Sequence, residues 1–96
     1  MPLPERPIVF LKAPSAICGP NDDTVQPVGS TRLDWEVELG VVIGRTARHV
    51  SEAAAGDVIA GYCVLNDVSE RAFQMETTQW AKGKGASEPA HDAAAW

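Results

Sequence analysis

The sequence contains few cysteines, and this limits the ways in which the chain can be cross-linked. It has two, Cys18 and Cys63, and neither belongs to a Cys-x-x-Cys motif or a Cys/His cluster. A small secreted protein held together by disulfides carries more cysteines, and a structural zinc site needs clustered ones. We therefore expect two buried thiols in a protein of the reducing cytoplasm.

Basic residues and long apolar runs are also scarce. Eight lysines and arginines are opposed by 13 aspartates and glutamates, for a net charge of -5, and they form no run. Nucleic acid is therefore not an expected partner, because phosphate binding needs clustered basic side chains. Every apolar run is shorter than the roughly 18 residues of a membrane span, so no membrane partner is expected.

Two catalytic motifs are absent as well. No serine stands in a Gly-x-Ser-x-Gly context, which leaves a serine nucleophile without support. No glycine-rich phosphate loop occurs, so phosphoryl transfer on Mg²⁺ is only a minor alternative. The hydrophobic share of 45% and the charged share of 22% are instead typical of an ordinary globular domain.

Short strands alternate with short helices along the chain. Strict alternation over residues 35–43 predicts a strand with apolar side chains on one face. Further strands are predicted over residues 58–65, 8–11 and 24–26, and helices after the N-cap candidates Ser51 and Ser69. This mixture predicts an α+β fold that is mainly β, with Trp35 and Trp80 in the core.

The ends of the chain carry no such pattern. Residues 1–7 hold three prolines and no apolar segment, which predicts an extended lead-in and not a signal peptide. Residues 87–96 are small and polar and are predicted to form an irregular tail. The predicted domain therefore covers residues 8–86.

Three carboxylates form the first candidate site. Glu36 and Glu38 lie two residues apart on a predicted strand, so they point the same way at a spacing of about 6.5–7 Å. Asp67 follows another apolar strand and offers a third oxygen. Carboxylates without imidazole or thiolate favour Mg²⁺, Mn²⁺ or Ca²⁺ over zinc. The alternatives are a solvated strand face for the glutamates and turn or cap chemistry for Asp67.

Cationic and amide side chains follow the carboxylates. Arg71 and Gln74 share one face of the second predicted helix, and an arginine fork suits a substrate carboxylate. Lys84 stands between two glycines, which allow the backbone to approach a ligand closely. Each cation is otherwise an ordinary surface residue. His49 is expected at the surface, and His91 is given no role.

These residues lie in segments that resemble the fumarylacetoacetate hydrolase family. Residues 33–44, Leu-Asp-Trp-Glu-Val-Glu-Leu-Gly-Val-Val-Ile-Gly, resemble its metal-binding strand. Residues 61–74, Gly-Tyr-Cys-Val-Leu-Asn-Asp-Val-Ser-Glu-Arg-Ala-Phe-Gln, resemble its second signature, and 79–85, Gln-Trp-Ala-Lys-Gly-Lys-Gly, its third. Residues 10–16 fit the usual lead-in. The sequences of the second and third signatures are most similar to those of ureidoglycolate lyase-like and diketo-acid hydrolase members.

The resemblance implies a fold, a cofactor and site residues. The fold would be part of a mixed β-roll with short helices, and the cofactor Mg²⁺, Mn²⁺ or Ca²⁺. The metal ligands would be Glu36, Glu38 and Asp67. The substrate-binding residues would be Arg71, Gln74 and Lys84, and Lys84 would also be catalytic by neutralising developing charge.

The resemblance also implies a reaction class. The activity would be metal-dependent hydrolysis or lysis of 2-oxo or β-diketo acids, with C–C cleavage through a metal-stabilised enolate. Isomerase or decarboxylase activity of the same family is the first alternative. An inactive fragment that folds only with a partner is the second.

The chain also departs from the family pattern. Hydrolytic members use a lid histidine with a glutamate to activate water, and neither His49 nor His91 stands at a matching place. We therefore expect a partial domain that does not carry general-base hydrolysis alone. The partners implied are a small carboxylate substrate and, in full-length members, a second copy in a homodimer.

Overall fold

A computed structural model describes residues 2–86 of the chain, and the predicted tail over 87–96 lies outside the described residues. Two antiparallel two-stranded sheets form its framework. The strands are β1 (Leu33–Asp34), β2 (Val37–Ile43), β3 (Ile59–Asn66) and β4 (Ser69–Glu70), and a short helix α1 covers Arg71–Gln74. Three 3₁₀ turns complete the elements, at Pro14–Ala16, Glu52–Val58 and Trp80–Lys82. The prediction of an α+β fold that is mainly β is confirmed.

The β2–β3 pair is the longer of the two sheets. Its register places Val37 opposite Asn66 and Leu39 opposite Val64. Gly40 faces Cys63, and a Cβ atom there would lie 2.5 Å from the cysteine sulfur, so a larger residue would force the Cys63 side chain to move. Both strands were predicted from apolar patterning, and their observed bounds differ from the predicted ones by one or two residues.

The smaller sheet, β1 with β4, joins the middle of the chain to the segment that carries α1. Leu33 pairs with Glu70 and Asp34 with Ser69. Next to this sheet, the Arg71 amide donates to the Arg32 carbonyl at 2.9 Å, and the Glu70 amide donates to the Gly83 carbonyl at 2.8 Å. These bonds bring three segments that are distant in sequence to one place.

Two of the predicted strands do not form. Residues 8–11 and 24–26 are not in strands, since no segment among residues 2–86 pairs with them. Val9 and Leu11 are exposed, so apolar composition alone does not make a strand without a partner.

The helix predictions also need correction. The segment after Ser51 is a 3₁₀ turn that runs through Gly56, and the Ser51 side chain makes no capping bond. Ser69 belongs to β4, and the N-cap of α1 is Glu70, whose carboxylate accepts from the Ala72 amide at 2.8 Å. A carboxylate satisfies the free amide of a first turn as a serine hydroxyl would.

Burial in this chain follows an unusual pattern. Ala16 and Val68 are buried apolar side chains, whereas Trp35 is 72% exposed, contrary to its predicted place in the core. Cys18 and Cys63 are unpaired and only half-buried, so the expectation of buried thiols is wrong. The fully buried large side chains are polar: Lys84, Glu70, Asp67 and Ser69. No helix in residues 2–86 has the length and apolarity to span a membrane.

Candidate metal centre

The three predicted carboxylates meet where the β2–β3 pair ends. Glu36 immediately precedes β2, and Asp67 immediately follows β3. The Asp67 amide donates to the Glu36 carbonyl at 2.9 Å, which extends the pairing by one residue beyond the strands. Glu38 lies two residues after Glu36, within β2. One oxygen from each of the three carboxylates lies within 4.8 Å of the other two.

Cationic side chains surround these carboxylates. The Lys84 ammonium lies 2.7 Å from Asp67 Oδ2 and 3.0 Å from Glu36 Oε2. The Arg71 guanidinium forms ion pairs with Glu36 and, through Nε at 3.0 Å, with Asp34. The side chains of Lys84 and Asp67 are each 2% exposed, so their charges interact with little screening by water.

The two glutamates differ in their proton affinity. Burial raises the pKa of Glu36, but hydrogen bonds from Lys84 and Arg71 outweigh it, and the net effect is a lowered pKa. Burial also raises the pKa of Glu38, and the nearby charges of Asp67 and Glu36 raise it further. Glu38 is therefore the carboxylate of the cluster whose charge is least compensated by the protein's own cations.

Arg71 and Gln74 occupy one side of α1, as their spacing predicted. Arg71 Nη1 donates to Gln74 Oε1 at 3.0 Å, so the amide helps to orient the guanidinium. Asp34 holds the same guanidinium from the other side, and the hydrogen bond from Arg71 lowers the pKa of that carboxyl group. The structure brings Arg71, Gln74 and Lys84 together with the carboxylates, and their roles toward a substrate stay predictions.

Lys84 is positioned by the turn that precedes it. Its amide donates to the Trp80 carbonyl at 3.1 Å, and its ammonium lies 4.9 Å from the centre of the Phe10 ring. Gly83 is buried against α1, where a Cβ atom would lie 2.5 Å from the Gln74 backbone nitrogen. This packing therefore requires a glycine at position 83, and the close approach of the glycine backbone to a ligand stays a prediction.

Sequence reasoning missed four residues that contact the site or its supports. The Lys12 ammonium lies 2.7 Å from Asp67 Oδ1, and the Ser69 hydroxyl donates to the Asp67 carbonyl at 3.0 Å. Asp34 pairs with Arg71, and Glu70 joins the loop before β1 to α1. All four lie inside the family-like segments, but no spacing rule distinguishes them from their neighbours.

Glu70 is the most extensively bonded of the four. Its carboxylate accepts from the Ser30 hydroxyl, from the Arg32 amide at 3.0 Å and from the Ala72 amide at 2.8 Å. Burial raises the pKa of Glu70, but these bonds outweigh it and leave a lowered pKa. The buried carboxylate thus holds the residues that carry Arg71 and Gln74.

His49 does not belong to this cluster. His49 is exposed, as predicted, and adopts a positive φ of 51° in the loop after β2. His91 lies outside the described residues. The chemical character of the described site is therefore set by carboxylates, two lysines, one arginine and one amide.

Comparisons with known proteins agree on one family. A hydrolase-named protein of Burkholderia ambifaria is 62% identical over 86 residues, which is 88% of this chain and 30% of that protein. The crystal structure of 2-hydroxyhepta-2,4-diene-1,7-dioate isomerase from Mycobacterium marinum superposes with a TM-score of 0.85 at 41% identity. The superposition covers 96% of this chain and 35% of that one.

A second solved structure has a different named activity. Fumarylacetoacetate hydrolase from the psychrophile Exiguobacterium antarcticum superposes with a TM-score of 0.77 at 38% identity, over 81% of this chain and 28% of that one. The chain thus spans about a third or less of the relatives it matches. The fumarylacetoacetate hydrolase C-terminal family model matches residues 1–90, and the chain belongs to this family.

Proposed function

We propose that the chain carries the divalent-metal centre and part of the substrate pocket of an enzyme acting on 2-oxo or β-diketo acids. The reaction proposed is hydrolysis or lysis of a C–C bond. The observation that supports this best is the convergence of three carboxylates, each offering an oxygen within 4.8 Å of the others. Family membership supports an enzyme of the hydrolase and isomerase group.

The donor set fits a hard divalent cation. Glu36, Glu38 and Asp67 would hold it through oxygen atoms, which suits Mg²⁺, Mn²⁺ or Ca²⁺. Three carboxylates this close repel one another, and the pKa of Glu38 is raised first by burial and then by the charges of Asp67 and Glu36. When bound, the cation would act as a Lewis acid toward the substrate's oxo and carboxylate oxygens.

The protein's own cations would bind and orient the substrate. Arg71 presents a planar fork that matches a carboxylate, and Gln74 and Asp34 fix its orientation. The buried Lys84 ammonium would stabilise negative charge that develops on a substrate oxygen during C–C cleavage. Lys84 is accordingly proposed as the catalytic residue and as a substrate-binding one.

A second candidate activity is isomerisation within the same site. It is favoured by the solved isomerase at 41% identity, whose named substrate is an enol dicarboxylate. Isomerisation needs the cation and the carboxylate-binding residues, but no water-activating histidine. Cleavage of an acylpyruvate by the full-length enzyme would favour the hydrolase. Ketonisation without cleavage would favour the isomerase.

Location and assembly also belong to this proposal. The two unpaired cysteines agree with a cytoplasmic location. A homodimer of the full-length protein and the lyase-like subgroup stay predictions.

The proposal is tested by the binding of oxalate, a stable 2-oxo acid mimic. We expect Lys84→Met to weaken oxalate binding by about tenfold in the presence of Mg²⁺, because a charged hydrogen bond is lost. The control Lys82→Met removes an equal charge from an exposed side chain paired with Glu76. Calorimetry measures both, and equal oxalate affinity in wild type and Lys84→Met would remove Lys84 from the pocket.

A further inference from the structure

Lys12 is a largely buried cation of the site. The resemblance to the family assigned it no role. Its side chain is 15% exposed, and its ammonium lies 2.7 Å from Asp67 Oδ1 and 3.3 Å from the Val68 carbonyl oxygen. A buried ammonium is costly unless it is paired, and this pair spans 55 residues of sequence. The contact therefore fixes the segment around Lys12 to the residues that follow β3.

The two oxygens of Asp67 have different neighbours. Oδ2 shares a cationic partner with Glu36, because the Lys84 ammonium lies 2.7 Å from Oδ2 and 3.0 Å from Glu36 Oε2. Oδ1 points to Lys12 on the other side of the carboxylate. Asp67 thus has one oxygen linked to Glu36 through the shared Lys84 ammonium, and its other oxygen is paired with Lys12.

We propose that Lys12 is a specificity-determining positioning residue that restricts Asp67 to a one-oxygen ligand and so favours Mg²⁺ or Mn²⁺ over Ca²⁺. This inference rests on the proposed metal centre. Mg²⁺ demands near-octahedral geometry with few carboxylate oxygens, whereas Ca²⁺ takes six to eight oxygens and accepts both oxygens of one carboxylate. An ammonium on Oδ1 disfavours that two-oxygen mode.

Charge alone does not produce this preference. Removing Lys12 takes one positive charge from the site, which favours Mg²⁺ and Ca²⁺ alike because both carry the same charge. The ratio of the two dissociation constants cancels this common effect. A change in the ratio therefore reports how Asp67 coordinates, while a parallel change in both constants reports only charge or folding.

The experiment uses the full 96-residue chain and bound Mn²⁺ as the probe. Electron paramagnetic resonance follows its displacement by MgCl₂ or CaCl₂ in wild type, Lys12→Met and the matched control Lys82→Met. We expect Kd(Mg²⁺)/Kd(Ca²⁺) to rise about tenfold in Lys12→Met, the scale typical of residues that orient metal ligands. It is expected to stay at the wild-type value in Lys82→Met.

Two further variants keep the test decisive. Lys12→Gln lacks the ammonium but remains polar, and it is expected to raise the ratio if Lys12→Met does not fold by circular dichroism. Lys12→Arg restores a cationic donor and is expected to return the ratio toward wild type. An unchanged ratio in Lys12→Met and Lys12→Gln, with Mn²⁺ still bound, would overturn the role of Lys12. Failure of wild type to bind Mn²⁺ would overturn the metal centre itself.

Discussion

The β2–β3 pair and the carboxylate site at its end are built in opposite ways. The strand pair exposes apolar side chains, such as Leu39 at 71% and its cross-strand neighbour Val64 at 67%. The site buries charged and polar ones, and Asp67, Glu70 and Lys84 are all nearly inaccessible. One region is ordered by backbone pairing, and the other by a dense polar network.

The contrast shows that the site depends little on the apolar face of the strands. Contacts within the described part of the chain position Asp67 and Lys84, whereas no residue of that part covers Leu39 or Val64. Buried polar networks are stabilising only when their members are paired. The site should therefore respond strongly to loss of one charge, and the strand face should respond weakly to substitution.

The largest effect is expected from Asp67→Asn, which would break the polar network at its centre. The change leaves Lys12 without its carboxylate partner and Lys84 with Glu36 alone, and removing one partner of a buried ion pair is costly. We expect the free energy of unfolding to fall by about 3 kcal/mol. Urea denaturation measures it, and Asp57→Asn on an exposed turn serves as the control. A loss no greater than that of the control would contradict the network's importance.

A smaller effect, with a defined pH dependence, is expected from Glu70→Gln. The lowered pKa means that ionised Glu70 stabilises the fold above its unfolded pKa of about 4.3, and that this stabilisation is lost as pH falls through the folded pKa. At pH 7 the variant should be less stable by about 2 kcal/mol, because bonds to a charged acceptor are weakened.

The pH series distinguishes this account of Glu70 from a simple packing defect. Urea denaturation from pH 7 to pH 3 should show the gap between wild type and Glu70→Gln narrowing with acidification. The exposed Glu52→Gln is the control, and it should show little gap at any pH. A gap of constant size down to pH 3 would mean that the charge of Glu70 does not hold the loop.

The smallest effect is expected on the strand face. Leu39→Thr with Val64→Thr keeps strand-compatible side chains on a face that is already exposed. We expect the free energy of unfolding to change by no more than about 0.5 kcal/mol per substitution. We also expect less self-association by analytical ultracentrifugation. A decrease of several kcal/mol in the free energy of unfolding would show that this face is packed in solution. It would contradict the proposed difference between the strand face and the carboxylate site.

The same contrast marks what could be predicted from the sequence. Alternation located β2 and a continuous apolar run located β3, since both patterns are local features of the sequence. The spacing of Glu36 and Glu38 and the motif around Asp67 anticipated the cluster. By contrast, the contacts of Lys12 and Glu70 join segments 55 and 40 residues apart, and no local rule encodes them.

The errors have physical causes of the same kind. Residues 8–11 have strand-like composition, but a strand also needs a partner, and pairing is not a local property. Trp35 was assigned to the core by its size, yet its neighbours in the described structure leave it exposed. Ser69 matched an N-cap pattern, but pairing with Asp34 in β4 placed the cap at Glu70.

The most direct test of the central claim, that the three carboxylates form a cation site, is a Mn²⁺ titration followed by electron paramagnetic resonance. It compares wild type, Glu36→Gln/Glu38→Gln and the control Glu5→Gln/Glu52→Gln, which removes two charges from exposed positions. We predict stoichiometric binding by wild type and the control, and its loss in the Glu36/Glu38 variant. Equal binding by all three proteins, or none by wild type, would contradict the claim.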